Sequence, residues 1–166
     1  DNKKTETEKK DTTDKDTKDK DKDKEVETKT PPVALIAKIY SNDEDDWLEI
    51  VNASGADFDL AAAGYRLEKA KAADDPTLIM RFGNDNDGVY PGGTIIKASS
   101  TYLVASDSAA PDIKAKADAI VTKSSFSWTE EGYTLYLGTA SISTDDDPDI
   151  VDKVGYGNAQ YFEGSG

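Results

Sequence analysis

Between residues 47 and 52 the chain alternates, reading WLEIVN: Leu48 and Ile50 fall on one side, Trp47, Glu49 and Val51 on the other. A period of two marks a strand with one buried face. The stretch before it, 33–40 (VALIAKIY), is almost continuously apolar, which predicts a central strand. The acidic run at 41–46 separates the two as a loop. Further along, Tyr65 and Leu67 share a face in 65–68, and Leu78, Met80 and Phe82 share one in 77–82. Residues 94–97, 101–105, 133–137 and 150–154 complete a series of about eight short strands. Turn residues punctuate them: Ala53-Ser54-Gly55, the NDNDG run at 84–88 and Pro91-Gly92-Gly93. One segment breaks the pattern. In 112–123, Ile113, Ala117, Ile120 and Val121 recur at helical spacing behind Asp112, which predicts a helix of about three turns leaning on the sheet. Many short strands with regular turn signals predict an all-β sandwich carrying one short helix insertion. Leu48, Ile50, Leu67, Leu135 and Val154 are the expected core.

The first thirty residues follow no such pattern. They are Asp, Glu, Lys, Thr and Asn almost throughout, with Val26 as the one large apolar side chain. A segment that buries so little cannot offset its ordering entropy, so 1–32 is expected to be a disordered charged spacer. Pro31-Pro32 closes it, and 33–166 is expected to be the folded domain.

Charge sharpens this division. The whole chain carries a formal −14, of which residues 31–166 hold 23 acids against 10 bases. An anionic domain is repelled by phosphate backbones and anionic lipid, so no nucleic-acid partner is expected. No apolar run is long enough to span a bilayer. The chain has neither cysteine nor histidine, which removes disulfides, thiolate nucleophiles, the commonest general base and the usual zinc ligands. Ser99, Ser100, Ser124, Ser125 and Ser165 have no histidine partner, and neither an S-x-x-K nor a G-x-S-x-G motif occurs. A non-enzymatic role is expected, with no cofactor other than a candidate Ca²⁺.

The candidate metal ligands are acids. Asp145, Asp147 and Asp149 lie together, and Asp152 follows at the start of the last strand. Ca²⁺ takes six to eight oxygens from carboxylates and carbonyls on flexible loops. Asp152 is in phase with Ile150 and Val154 and so points inward, where a carboxylate requires a cation, a Lys or backbone donors. Asp43, Glu44, Asp45 and Asp46 form a second acidic group. Asp85 and Asp87 form a third, in an EF-hand-like loop that fails at Gly83 and Thr94. The competing reading for all of them is solvated loop acids that keep the domain soluble. Among the aromatics, Trp47 and Trp128 are expected to be core or half-buried, whereas Tyr161 and Phe162 are better placed for exposure.

The order of these segments carries a resemblance. IYSNDEDDWLEIVN at 39–52 is followed by Phe58-Asp59-Leu60, then Gly64-Tyr65-Arg66-Leu67, then Thr101-Tyr102-Leu103-Val104 after the Pro-Gly-Gly turn. Tyr133-Thr134-Leu135-Tyr136-Leu137 and the closing DIVDKVGYG at 149–157 come last. This series is similar to the lamin-tail domains of bacterial secreted proteins over residues 33 to about 163. Tyr65 stands where that family usually has Trp, and the 112–123 insertion and the acidic loops depart from it. The resemblance implies an immunoglobulin-like β-sandwich without catalytic residues of its own, on an exported or cell-surface protein. Two functional expectations follow from it: an interaction or attachment module with a protein or cell-surface partner, or an accessory domain of an extracellular nuclease or phosphoesterase.

Overall fold

A computed structural model of the chain describes residues 33–41, 45–71, 74–122, 132–157 and 159. All of them belong to one compact unit, Pro31–Gly166. The expected spacer 1–32 lies outside the described residues, as do Asp43, Glu44, Ser124, Ser125, Trp128, Tyr161, Phe162 and Ser165.

The chain is an all-β sandwich. Its strands are β1 (Ala34–Ser41), β2 (Asp46–Asn52), β3 (Phe58–Asp59), β4 (Arg66–Ala70), β5 (Thr77–Arg81) and β6 (Gly88–Val89). They continue as β7 (Ile95–Ile96), β8 (Thr101–Ser106), β9 (Ala119–Val121), β10 (Thr134–Gly138) and β11 (Ile150–Gly155), with one helical turn, α1 (Pro111–Lys114). A five-stranded sheet runs β1-β2-β8-β9-β6, and a four-stranded sheet runs β11-β10-β4-β5; β3 and β7 make a small separate pair.

The alternation read in β2 is the alternation observed: Asp46, Leu48, Ile50 and Asn52 are buried and the residues between them half-buried. One apolar cluster joins the sheets, with Ile36, Leu48, Ile50, Tyr102, Val104 and Val121 from the larger and Leu67, Ile79, Met80, Leu135 and Leu137 from the smaller. Leu48 and Ile50 are wholly removed from water, and each such side chain contributes about 1.5–3 kcal/mol of transfer free energy. Of the five expected core residues only Val154 stops at half-buried, packed against the cluster from β11.

Loops cover both outer faces. Beyond the larger sheet, Ala109, Ala117 and Ile113 pack on Ala105, Leu103, Trp47 and Ile120. Beyond the smaller sheet, Ile142 packs on Ala70 and Tyr136, with Ile150 alongside. Covering an outer face allows it to bury polar groups as well. Glu68 is 1 % exposed there, paired with Arg66 and accepting the Ile142 N–H at 3.1 Å.

Four expectations are corrected. The run 33–40 is not central: β1 is the last strand of its sheet. Its register slips between Ile36 and Lys38, and its far side lies against β11, where Asp152 accepts the Ile36 N–H at 2.6 Å. Contact with the opposite sheet's edge, rather than a second ladder neighbour, accounts for its apolar character. The helix of 112–123 is a single turn, and Ala119–Val121 is a strand pairing in parallel with Val104–Ser106. The apolar side chains at helical spacing still meet, because Ile113, Ala117 and Ile120 share one cluster. In β5 an irregularity sets Leu67 opposite Met80 but Glu68 opposite Leu78. Ile79 is thereby turned into the core, and Leu78 is left half-buried.

The fourth correction concerns the NDNDG run, where Asp87 is fully buried rather than solvated. It takes the Arg81 side chain through Nε at 2.7 Å and Nη2 at 3.3 Å, and its Oδ2 also accepts the Arg81 backbone N–H. Gly88 then enters β6, where a Cβ would come within 2.7 Å of the Ile120 carbonyl oxygen. Only glycine allows that close approach.

Candidate functional site

The predicted acids are held by separate partners. Asp145 Oδ1 meets Lys153 Nζ at 2.9 Å. Asp147 accepts from the Ser143 N–H and Oγ–H through one oxygen and from the Asp149 N–H through the other. These bonds hold its carboxyl below the usual range. Asp149 is exposed, and its carbonyl accepts the Thr139 N–H. Asp152 points inward as its phase in β11 predicts, and is 5 % exposed with the Ile36 N–H as a partner. Among the described residues, no three acids converge into a set that could hold a metal ion. A cleft of about 190 Å³ lies beside Asp145, lined also by Asp74, Asp75, Tyr136, Ser143 and Thr144.

A different group of ionisable residues does converge, at one end of the sandwich. Asp46 begins β2 in phase with Leu48 and Ile50, so its carboxylate enters the interior at 6 % exposure. The Ser41 hydroxyl donates to its Oδ1 at 2.8 Å. From the opposite sheet comes Lys69, in phase with Leu67 on β4. Its ammonium stands 5.0 Å from the centre of the Tyr133 ring. Burial pulls the Lys69 pKa down, and the charge of Asp46 opposes that pull. Tyr156, just beyond β11, completes the group. Burial raises its hydroxyl pKa, and Asp46 and Tyr133 raise it further.

Above this group opens a cleft of about 340 Å³, lined by Ile39, Tyr40, Ser41 and Tyr156. Tyr40 and Trp47 are cross-strand partners in β1 and β2, and their rings stack with centres 5.2 Å apart and planes 13° from parallel. Trp47 is half-buried against the outer cluster, whereas Tyr40 remains 43 % exposed. The pairing gives an aromatic face with a fixed orientation at the rim. Below it, the charge of Asp46 opposes the burial of the Lys69 ammonium, and the Ser41 hydroxyl that donates to Asp46 stands in the cleft wall. The arrangement suits recognition of a small polar group.

Part of this end was readable from the sequence. Asp46 sits two residues before Leu48, so its inward direction follows from the alternation that places Leu48 and Ile50. Lys69 likewise sits two residues after Leu67, but the strand was expected to stop at Glu68. Tyr40 carried no signal of its own, because it closes an apolar run that resembles core. No family model matches the sequence, and no curated protein matches it.

Proposed function

We propose that the domain is a non-catalytic interaction or attachment module of an exported bacterial protein, an immunoglobulin-like sandwich of the lamin-tail type. Residues 1–32 act as the spacer that sets it away from its point of tethering. The observation that carries the reading is the open cleft at the sandwich end, with the exposed ring of Tyr40 mounted on a rigid strand pair. A binding surface on paired strands holds its geometry better than one on a free loop. The loops are also pinned. Asp45 accepts the Ala110 N–H at 2.6 Å, and Asp59 accepts from Ala61, Ala62 and Thr94. Buried acids such as Asp87 and Glu68 are engaged in holding backbone and arginine groups. The ordered sequence likeness to exported lamin-tail domains supports the same reading.

Two assays on the purified chain test it. Sedimentation with cell envelopes of the producing bacterium should show saturable binding. Hydrolysis of bis(4-nitrophenyl) phosphate and plasmid DNA with Mg²⁺ or Ca²⁺ should stay at the buffer rate. Turnover abolished by Asp145→Asn would overturn the non-catalytic part. A pellet no larger than in envelope-free controls would overturn the attachment part.

A further inference from the structure

We propose that the sandwich-end cleft is a saccharide-binding subsite, seating one neutral sugar ring of a cell-envelope glycan against Tyr40. The proposal rests on the attachment reading and names its ligand class. Four features carry it. The Tyr40 ring is exposed, yet stacking on Trp47 fixes it, so little side-chain freedom is lost when a ligand covers it. An aromatic face suits the C–H edge of a sugar, because the face is the negative side of the ring quadrupole. The cleft holds about 340 Å³, within the size range of small-molecule sites, which begins at about 300 Å³. Among its described lining residues, Tyr40 and Ser41 bring hydroxyls to the wall, a group that both donates to and accepts from sugar hydroxyls.

Charge selects a neutral ligand. The net charge of −13 on residues 31–166 disfavours phosphates and other anions. A cation would find Asp46 already opposed by the Lys69 ammonium, which lies over Tyr133. A polyhydroxylated ring meets neither obstacle.

The test uses the full chain on an array of neutral oligosaccharides and on protein-free peptidoglycan sacculi, with Trp fluorescence as the solution readout. At least one saccharide should bind, and binding should perturb the Trp emission, since Trp47 lies directly behind Tyr40. Tyr40→Leu should lower affinity at least tenfold. Tyr40→Trp should retain binding, because it keeps an aromatic face. The far-ultraviolet circular dichroism and denaturation midpoint of both variants should match the parent, which separates loss of the platform from loss of the fold. Failure of every saccharide and of the sacculi would overturn the proposal, as would a Tyr40→Leu variant that binds like the parent. If the chain still sediments with envelopes in either case, attachment stands and its partner is not a glycan at this cleft. If envelope binding is also absent, both readings fall.

Discussion

Asn52 ends β2, and its side chain ties the turn that follows it to residues 96–97, far along the chain. Its Nδ2 donates to the carbonyls of Ala56 at 2.8 Å, Ile96 at 3.1 Å and Lys97 at 3.2 Å. Its Oδ1 accepts the Ser54 N–H at 2.9 Å and the Ser54 hydroxyl at 2.7 Å. The residue is 1 % exposed, so water cannot easily replace these bonds. Replacing Asn52 by Ala strands the deepest acceptor, the Ile96 carbonyl, while partly exposed Ala56 and Lys97 regain some water. Leaving a buried group unsatisfied costs about 1–3 kcal/mol, and each net bond lost at the rim about 0.5–1.5 kcal/mol. A destabilisation of about 2–4 kcal/mol is expected. Asn52→Asp is the sharper test. It keeps the shape and the acceptor facing Ser54, but turns an oxygen toward three carbonyl oxygens, so it should cost at least as much as Asn52→Ala. Urea unfolding followed by Trp fluorescence measures both, with an unchanged m-value as the check that only stability moved. A loss below about 0.5 kcal/mol for Asn52→Ala, the range of surface changes, would refute the staple.

Three further outcomes follow from the same contacts. Ile50→Ala removes a side chain wholly inside the cluster and should cost about 2–5 kcal/mol by denaturation; a surface-like loss would reverse the assigned face of β2. Glu68 has its pKa raised, burial outweighing the pull of Arg66. A raised carboxyl contributes stability that is full below its unfolded value and is lost as pH rises through its folded value. Glu68→Gln should therefore flatten the decline just above the ordinary carboxylate range in midpoints measured across pH, and an unchanged slope there would contradict the shift. Because Asp145 and Asp147 are bonded to Lys153, Ser143 and Asp149, calorimetric scans in millimolar Ca²⁺ and in chelator should superimpose. A Ca²⁺-dependent rise lost in Asp147→Asn with Asp152→Asn would instead make this loop a metal site.

Elements whose face is set by neighbours two residues away were legible, and those set by distant pairing were not. WLEIVN declares its buried side because one face of β2 meets the core. The 112–123 segment offers Ile113, Ala117 and Ile120 at helical spacing, and nothing local reveals that Ala119–Val121 finds a parallel partner in Val104–Ser106. Its strand character shows only as the short alternation of buried Ala119 and Val121 around Ile120. The same limit applies to charge. Asp152 was legibly inward by its phase, but its Ile36 partner lies 116 residues away. Glu68 looks like an outward residue because its cover, the 139–149 loop, is equally remote. The end cleft and the charged pair beneath it draw on β1, β2, β4 and the residue after β11, so no single window contains them.

The contact between Ile36 and Asp152 has a mechanical consequence. Among the described strands β1 is the first and β11 the last, and they run side by side in the same direction: Ile36 meets Asp152, and further along Ile39 and Ser41 border the cleft with Tyr156. Tension applied at Ala34 and at Gly155 acts on opposite ends of this strand pair. The load then acts along the strands, so the β1–β2 ladder and the Asp152 clasp resist together in shear instead of opening one bond at a time. Rupture under force is governed by the unfolding barrier, so a pull along this axis meets the seven-pair β1–β2 register as a unit.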